Sequence, residues 1–92
     1  MRGGRRAAPT SADVARVRWR CRRGLHELDG VLESFAQGAL ATLDADDFAR
    51  FERILDLPDP ELVAYLLGSS APADPDLLRL VERIRSSHRP AT

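Results

Sequence analysis

From about residue 12 onward, apolar positions recur three and four residues apart in short stretches, separated by prolines, glycines and acid-rich turns. That spacing is the helical period. The first stretch places Val14, Val17 and Cys21 on one stripe and predicts a helix from about Ala12 to Arg23, with Ser11 as its cap, Asp13 in its first turn and arginines crowding its end. The second predicts a helix from about Leu25 to Leu40, with Leu25, Leu28, Val31, Leu32, Phe35, Ala36 and Ala39 on its inner face. Asp44 is the expected cap of a third helix reaching to about Asp56, which turns Phe48, Phe51, Ile54 and Leu55 inward before Leu57 and Pro58 stop it. Asp59 as cap and Pro60 at the first helical position open a short fourth helix carrying Leu62, Val63, Tyr65, Leu66 and Leu67 and ending at Gly68. After a loop from Ser69 to Ala73, Asp74 and Pro75 repeat that device for a fifth helix through Ser86, with Leu77, Leu78, Leu80, Val81 and Ile84 inward and Arg83 and Arg85 near its end. No stretch alternates with period two, so the expected fold class is all-α, a compact bundle of about five short helices.

With 92 residues the chain supports one small domain with one modest core. The expected organisation is a flexible basic arm over 1–10, a helical domain over 11–86 and a frayed tail over 87–92. Two of the helical hairpins resemble each other, but their lengths do not fit the roughly 34-residue tetratricopeptide period, and too few units are present for a solenoid.

Composition adds a polarity to this picture. The formal charge is zero, yet Met1 to Gly24 carries eight arginines against Asp13, while Leu25 to Glu82 carries three arginines against thirteen acids. A basic head thus joins an acidic body. The absence of lysine, together with abundant Ala, Asp, Leu and Arg, reads mainly as the codon bias of a GC-rich genome. Cys21 is the only cysteine, which excludes an intrachain disulfide and makes a reducing compartment the expectation. No apolar run approaches the ~20 residues of a membrane span, and there is no signal-peptide core, so a soluble intracellular protein is expected. The acid-free Met1 to Thr10 resembles a transit peptide only in composition and is short for one.

The densest chemistry lies in Trp19-Arg20-Cys21-Arg22-Arg23-Gly24-Leu25-His26-Glu27-Leu28-Asp29. At about 100° per residue Trp19 projects away from the Val14, Val17 and Cys21 stripe, between Arg22 and Arg23. Gly24 supplies a residue able to take positive φ and lets a partner's backbone come close. Arg23 offers a planar fork of donors, and Glu27 falls in the first turn of the next helix, where the dipole favours its charge. A cation, a bare peptide and an anion are therefore expected together at the corner between two helices.

Each residue also has a plainer reading. Arg23 and Glu27, four apart, could form an ordinary surface ion pair worth a few tenths of a kcal/mol. Trp19 could cover the bundle or pack beneath the arm instead of on a partner, and the two readings carry equal weight. Cys21 on the core stripe reads as a small buried apolar residue, although an unusual pKa beside so many arginines could make it reactive. Cys21, His26, Glu27 and Asp29 lack a second ligand cluster, so no metal site is expected. No carboxylate pair is marked for acid/base chemistry, and no nucleophile, base and oxyanion arrangement is visible.

The run Trp-x-Cys-Arg-Arg-Gly-x-x-Glu-Leu-Asp resembles the signature of the succinate dehydrogenase flavinylation factor family, also called the assembly factor 2 type. The family's Arg-Gly-x-x-Glu core falls on Arg23, Gly24 and Glu27, and the likeness continues through Asp59, Pro60 and Leu62 and through Pro72, Ala73 and Asp74, covering about Val14 to Arg85. The resemblance implies a non-enzymatic assembly factor that binds the flavoprotein subunit of succinate dehydrogenase, with that of fumarate reductase as a further client, and promotes covalent FAD attachment to a histidine of the client. On this reading the cofactor belongs to the client and none is held stably by this chain. The implied partner-binding residues are Arg23, Gly24, Glu27, Trp19, Arg22 and Asp29. The implied compartment is the bacterial cytoplasm, or the mitochondrial matrix in a eukaryote, and the implied state is a small monomer or weak homodimer without membrane contact.

The rival from another class is an antitoxin-like or nucleic-acid-binding regulator using the basic first helix. Against it, Arg16, Arg18, Arg20, Arg22 and Arg23 spread around the helix, and the acidic body would repel a duplex.

Overall fold

The computed structural model describes residues 8–87. Its helices are α1 (Ser11–Arg20), α2 (His26–Gly38), α3 (Ala45–Leu55), α4 (Asp59–Leu66) and α5 (Pro75–Ser87), with a 3-10 turn at Leu40–Thr42 between α2 and α3. No strand occurs among the described residues, so the all-α expectation holds. Most of the expected arm and tail lies outside the described residues.

The cap chemistry explains where the helices begin. Thr10, not Ser11, opens α1: its hydroxyl accepts from the Asp13 amide at 3.1 Å while the Asp13 carboxylate accepts from the Thr10 amide at 3.0 Å. This reciprocal box satisfies two first-turn donors, an arrangement Ser11 cannot make one residue later. Those contacts also hold the Asp13 carboxyl below its ordinary range. Asp44 caps α3 as expected, accepting from the Asp47 amide at 2.8 Å. Asp74 caps α5 through Asp76 and Leu77. At α4 the cap position belongs to Pro58, and no side chain bonds there; the carboxylate of Asp59 is used elsewhere.

The ends differ more from expectation. α1 stops at Arg20, three residues early, and α2 stops at Gly38, with Leu40 continuing into the 3-10 turn. Leu25 is not on the inner face of α2: it precedes the helix in extended conformation and is 37% exposed. Leu67, expected inside, follows α4 and is 39% exposed.

Most of the core is otherwise the one the periodicity names, with Leu40 and Leu43 added to it and Leu78, expected inward, left out. Val17, Cys21, Leu28, Leu32, Phe35, Leu40, Phe51, Leu62 and Ile84 are wholly buried, and Val14, Val63, Tyr65 and Leu77 pack at its margin. Phe35 of α2 and Phe51 of α3 form a tilted ring pair with centroids 5.2 Å apart. α5 packs against α2, α3 and α4 through Leu80, Val81 and Ile84. No buried residue is polar or charged among those described.

The expected split between basic head and acidic body folds onto itself. Arg16 pairs with Glu52 at 3.0 Å, Arg20 with Asp56, and Arg23 with Asp59 at 2.7 Å. Each pair is separated by 36 positions. A constant offset means that the α1 segment and the α3 segment run in the same direction, side by side, with an ionic ladder between them. No described helix is long and apolar enough to cross a membrane.

Candidate functional site

Between α1 and α2 the chain turns through five residues, Cys21 to Leu25, and this corner gathers the residues singled out from the sequence. α1 ends in an ordinary helical cap at Cys21, where the Cys21 amide donates to the Arg18 carbonyl and the Arg22 amide to that of Trp19. Its side chain is wholly buried and contacts the Val17 carbonyl at 3.5 Å. Burial pushes the Cys21 thiol from its ordinary 9.0 up to about 11, with Glu33 adding to the effect and Arg18, Arg20 and Arg23 opposing it. The arginines therefore do not activate it: desolvation outweighs them.

Gly24 has φ 82°, the sole positive φ among the described residues. Nothing lies within 4 Å of where a β-carbon would be, so the glycine is required by its backbone and its outer side is open. Asp29 holds this turn. Its two carboxylate oxygens accept from the amides of Arg23 at 2.8 Å and Gly24 at 3.1 Å. It thereby draws the chain out of the helix that the arginine run would otherwise extend.

The guanidinium of Arg23, expected at the surface, is turned inward. Nε donates to Asp59 at 2.7 Å, and its two terminal nitrogens donate to the carbonyls of Leu55 at 2.6 Å and Leu57 at 2.8 Å. The side chain is 17% exposed. The physical reason is the end of α3: its last carbonyls have no amide partners, and they carry the negative end of the helix dipole, which a planar cation fits. The ordinary surface ion pair that the spacing of Arg23 and Glu27 allowed is therefore not formed.

What remains outward is narrower than the sequence suggested. Trp19 is 68% exposed, and the Arg22 guanidinium lies 5.0 Å from its ring centroid, a cation–π pair at the surface. Arg22 also approaches Glu33 at 4.0 Å. Glu27 and His26 are exposed in the first turn of α2, and among the described residues Glu27 has no ionic or hydrogen-bonding partner. Trp19, Arg22, Gly24, Leu25 and Glu27 thus form an open edge, while Arg23 and Asp29 lie behind it and hold it. By sequence alone Leu25 is expected on the inner face of α2 and Asp59 as a helix cap, and neither is marked as a site residue. The repeated Arg-to-acid offset could have indicated Asp59.

Among the described residues, no group of His, Cys, Asp and Glu is arranged to hold a metal. Two open clefts of about 350 and 360 Å3 lie instead around Pro9 and the N-terminal part of α1, the first against Phe48 and Glu52 of α3, the second against Ala41. Neither is at the corner.

Comparison with known proteins now decides the family. The model described as the flavinator of succinate dehydrogenase matches residues 15–88, a span that includes the whole corner. The chain belongs to this family. It is 40% identical over 78 residues to the FAD assembly factor SdhE of Shewanella oneidensis, which covers 85% of this chain and 95% of the relative. It is 42% identical over 71 residues to the protein of the same name from Methylococcus capsulatus, covering 77% and 86%. The Pseudomonas aeruginosa protein is 36% identical over 78 residues, covering 85% and 93%.

Proposed function

We propose that this protein is an assembly factor that binds the flavoprotein subunit of succinate dehydrogenase and promotes covalent attachment of FAD to it. The observation that carries the proposal is the open edge formed by Trp19, Arg22, Gly24, Leu25 and Glu27: the family's signature run is presented outward on a corner held from behind. An exposed indole beside a guanidinium is the composition of an interface anchor. Glu27 offers a carboxylate without an internal partner, suited to a charge-assisted bond with a cation or backbone amide of the client. Gly24 leaves room for the client's backbone.

The role is one of positioning, and the protein is not an enzyme. The bond between a client histidine and the flavin forms within the client, which holds both reacting groups. A factor that orders the client's flavin-binding and capping regions raises the fraction of time spent in a reactive geometry, an effect that can be worth several kcal/mol. FAD stays with the client. The clefts around Pro9 are lined by none of the residues of the signature edge. We also place the subunit of fumarate reductase among the clients, the protein in the cytoplasm or the mitochondrial matrix, and its free form as a monomer or weak homodimer. The nucleic-acid reading is disfavoured by the ladder, because Arg16, Arg20 and Arg23 are already paired with Glu52, Asp56 and Asp59.

The test is covalent flavin in the isolated apo subunit, followed by in-gel fluorescence after denaturation, with FAD and the factor added. Gly24→Arg and Glu27→Ala should each depress the yield while preserving the helical circular dichroism spectrum. Full flavinylation by both folded variants overturns the proposal.

A further inference from the structure

Of two residues of the signature core, Arg23 is bonded inward and Glu27 is exposed, and this separates their roles. Arg23 makes no outward contact: its three directed bonds go to Asp59, Leu55 and Leu57, and its own amide goes to Asp29. Asp59 lies at the start of α4, far from the corner in sequence, and its carboxylate caps no helix. Its bond to Nε at 2.7 Å fixes the plane of the guanidinium, and that plane directs the other two nitrogens onto the carbonyls at the end of α3. One carboxylate therefore helps to tie the Gly24 turn to the α3–α4 junction. Asp29 ties the same turn to α2.

We infer that Arg23 and Asp59 are positioning residues for the docking edge, and that Arg23 is not itself a contact to the client. The inference rests on the proposed function and deepens it: specificity of the edge depends on an acid outside the signature, because Gly24 and Glu27 keep their relative placement only while the corner is clamped to α3 and α4. An open edge that wanders by an ångström loses complementarity even though every outward side chain is present.

The experiment measures affinity of the purified, full-length factor for the apo flavoprotein subunit of succinate dehydrogenase, well below the melting temperature of each variant. Arg23→Gln and Asp59→Ala should weaken binding by roughly ten- to a hundred-fold, with Arg23→Gln the larger loss. The double variant should be no weaker than Arg23→Gln alone, since both act through one clamp. Asp59→Glu should recover most of the affinity. Val81→Ala, a core change on α5 with comparable loss of melting temperature, should bind nearly as well as the unsubstituted chain. If Asp59→Ala fails to fold, Asp59→Asn serves in its place. Binding undiminished by loss of Asp59 but abolished by Arg23→Gln would overturn the inference, because the guanidinium would then be touching the client. Equal losses in Val81→Ala and Asp59→Ala would overturn it too, as the effect would be general instability. Glu27→Ala separates the two levels: if it binds and flavinylates normally, the docking edge itself is wrong, whereas a defect there beside normal Asp59 variants removes the clamp alone.

Discussion

Replacing Gly24 by alanine isolates the contribution of one backbone angle. At φ 82° a residue with a β-carbon is in the left-handed region, at a cost of about 1–2 kcal/mol. Alanine recovers about 0.4–1 kcal/mol of this by restricting the unfolded chain. No steric cost is added, because the space around the new atom is open to 4 Å. The net loss is therefore about 1 kcal/mol, which in a domain of this size lowers the melting temperature by roughly 4–8 °C. Gly24→Asn should lose less, since asparagine enters the left-handed region more readily. Thermal unfolding by circular dichroism measures both. At 25 °C either variant remains folded, so any fall in covalent flavin on the client reports the client's approach to this peptide and not unfolding. An alanine variant that melts with the unsubstituted protein would contradict the left-handed turn. A drop of about 20 °C or more would contradict the open space beside it.

Other perturbations test the scaffold. Phe35→Ala removes a wholly buried ring tilted against Phe51 and should cost about 3–5 kcal/mol, most of the stability of a small domain, seen as loss of a cooperative melt. Arg16→Ala removes a ladder pair whose arginine side chain is 53% exposed, so solvent screening leaves it little to contribute and the urea midpoint should scarcely move. Cys21 should resist alkylation at pH 8 in the native protein and react promptly in denaturant. Because burial raises its pKa from 9.0 to about 11, the folded chain keeps a proton that the unfolded chain has released. That contribution is complete below pH 9 and fades as pH rises through 11, so alkaline urea titrations should show stability declining across this window.

The parts of this molecule that local chemistry determines were legible in the chain. Asp44 and Asp74 cap the helices they precede, and the apolar stripes of α2, α3 and α5 became the core. What was not legible depended on contacts between distant segments. The run of arginines after Trp19 continues a good helical pattern, but Asp29 captures the amides of Arg23 and Gly24 and ends α1 early. Thr10 and Ser11 are both capable caps, and only the distance to Asp13 selects Thr10. Leu25 and Leu67 satisfy the helical period yet lie just beyond the helix ends, where the period no longer assigns a face. The inward turn of Arg23 had no local signal at all: its partners are in α3 and α4, and nothing in the spacing of Arg23 and Glu27 distinguishes a clamp from a contact.

The signature's position at the α1–α2 corner, with Trp19 outward and Cys21 inward, followed from periodicity and was found as expected. The exposed edge is smaller than the motif that marks it, because two of its six candidate residues, Arg23 and Asp29, face inward to hold the other four.

The most direct measurement is amide hydrogen exchange of the factor with and without the apo flavoprotein subunit of succinate dehydrogenase. The docking edge predicts new protection concentrated in peptides spanning 19–28, with the exposed faces of α4 and α5 unchanged. Protection confined to α4 or α5, with the Trp19 to Leu28 peptides exchanging as in the free protein, would contradict it.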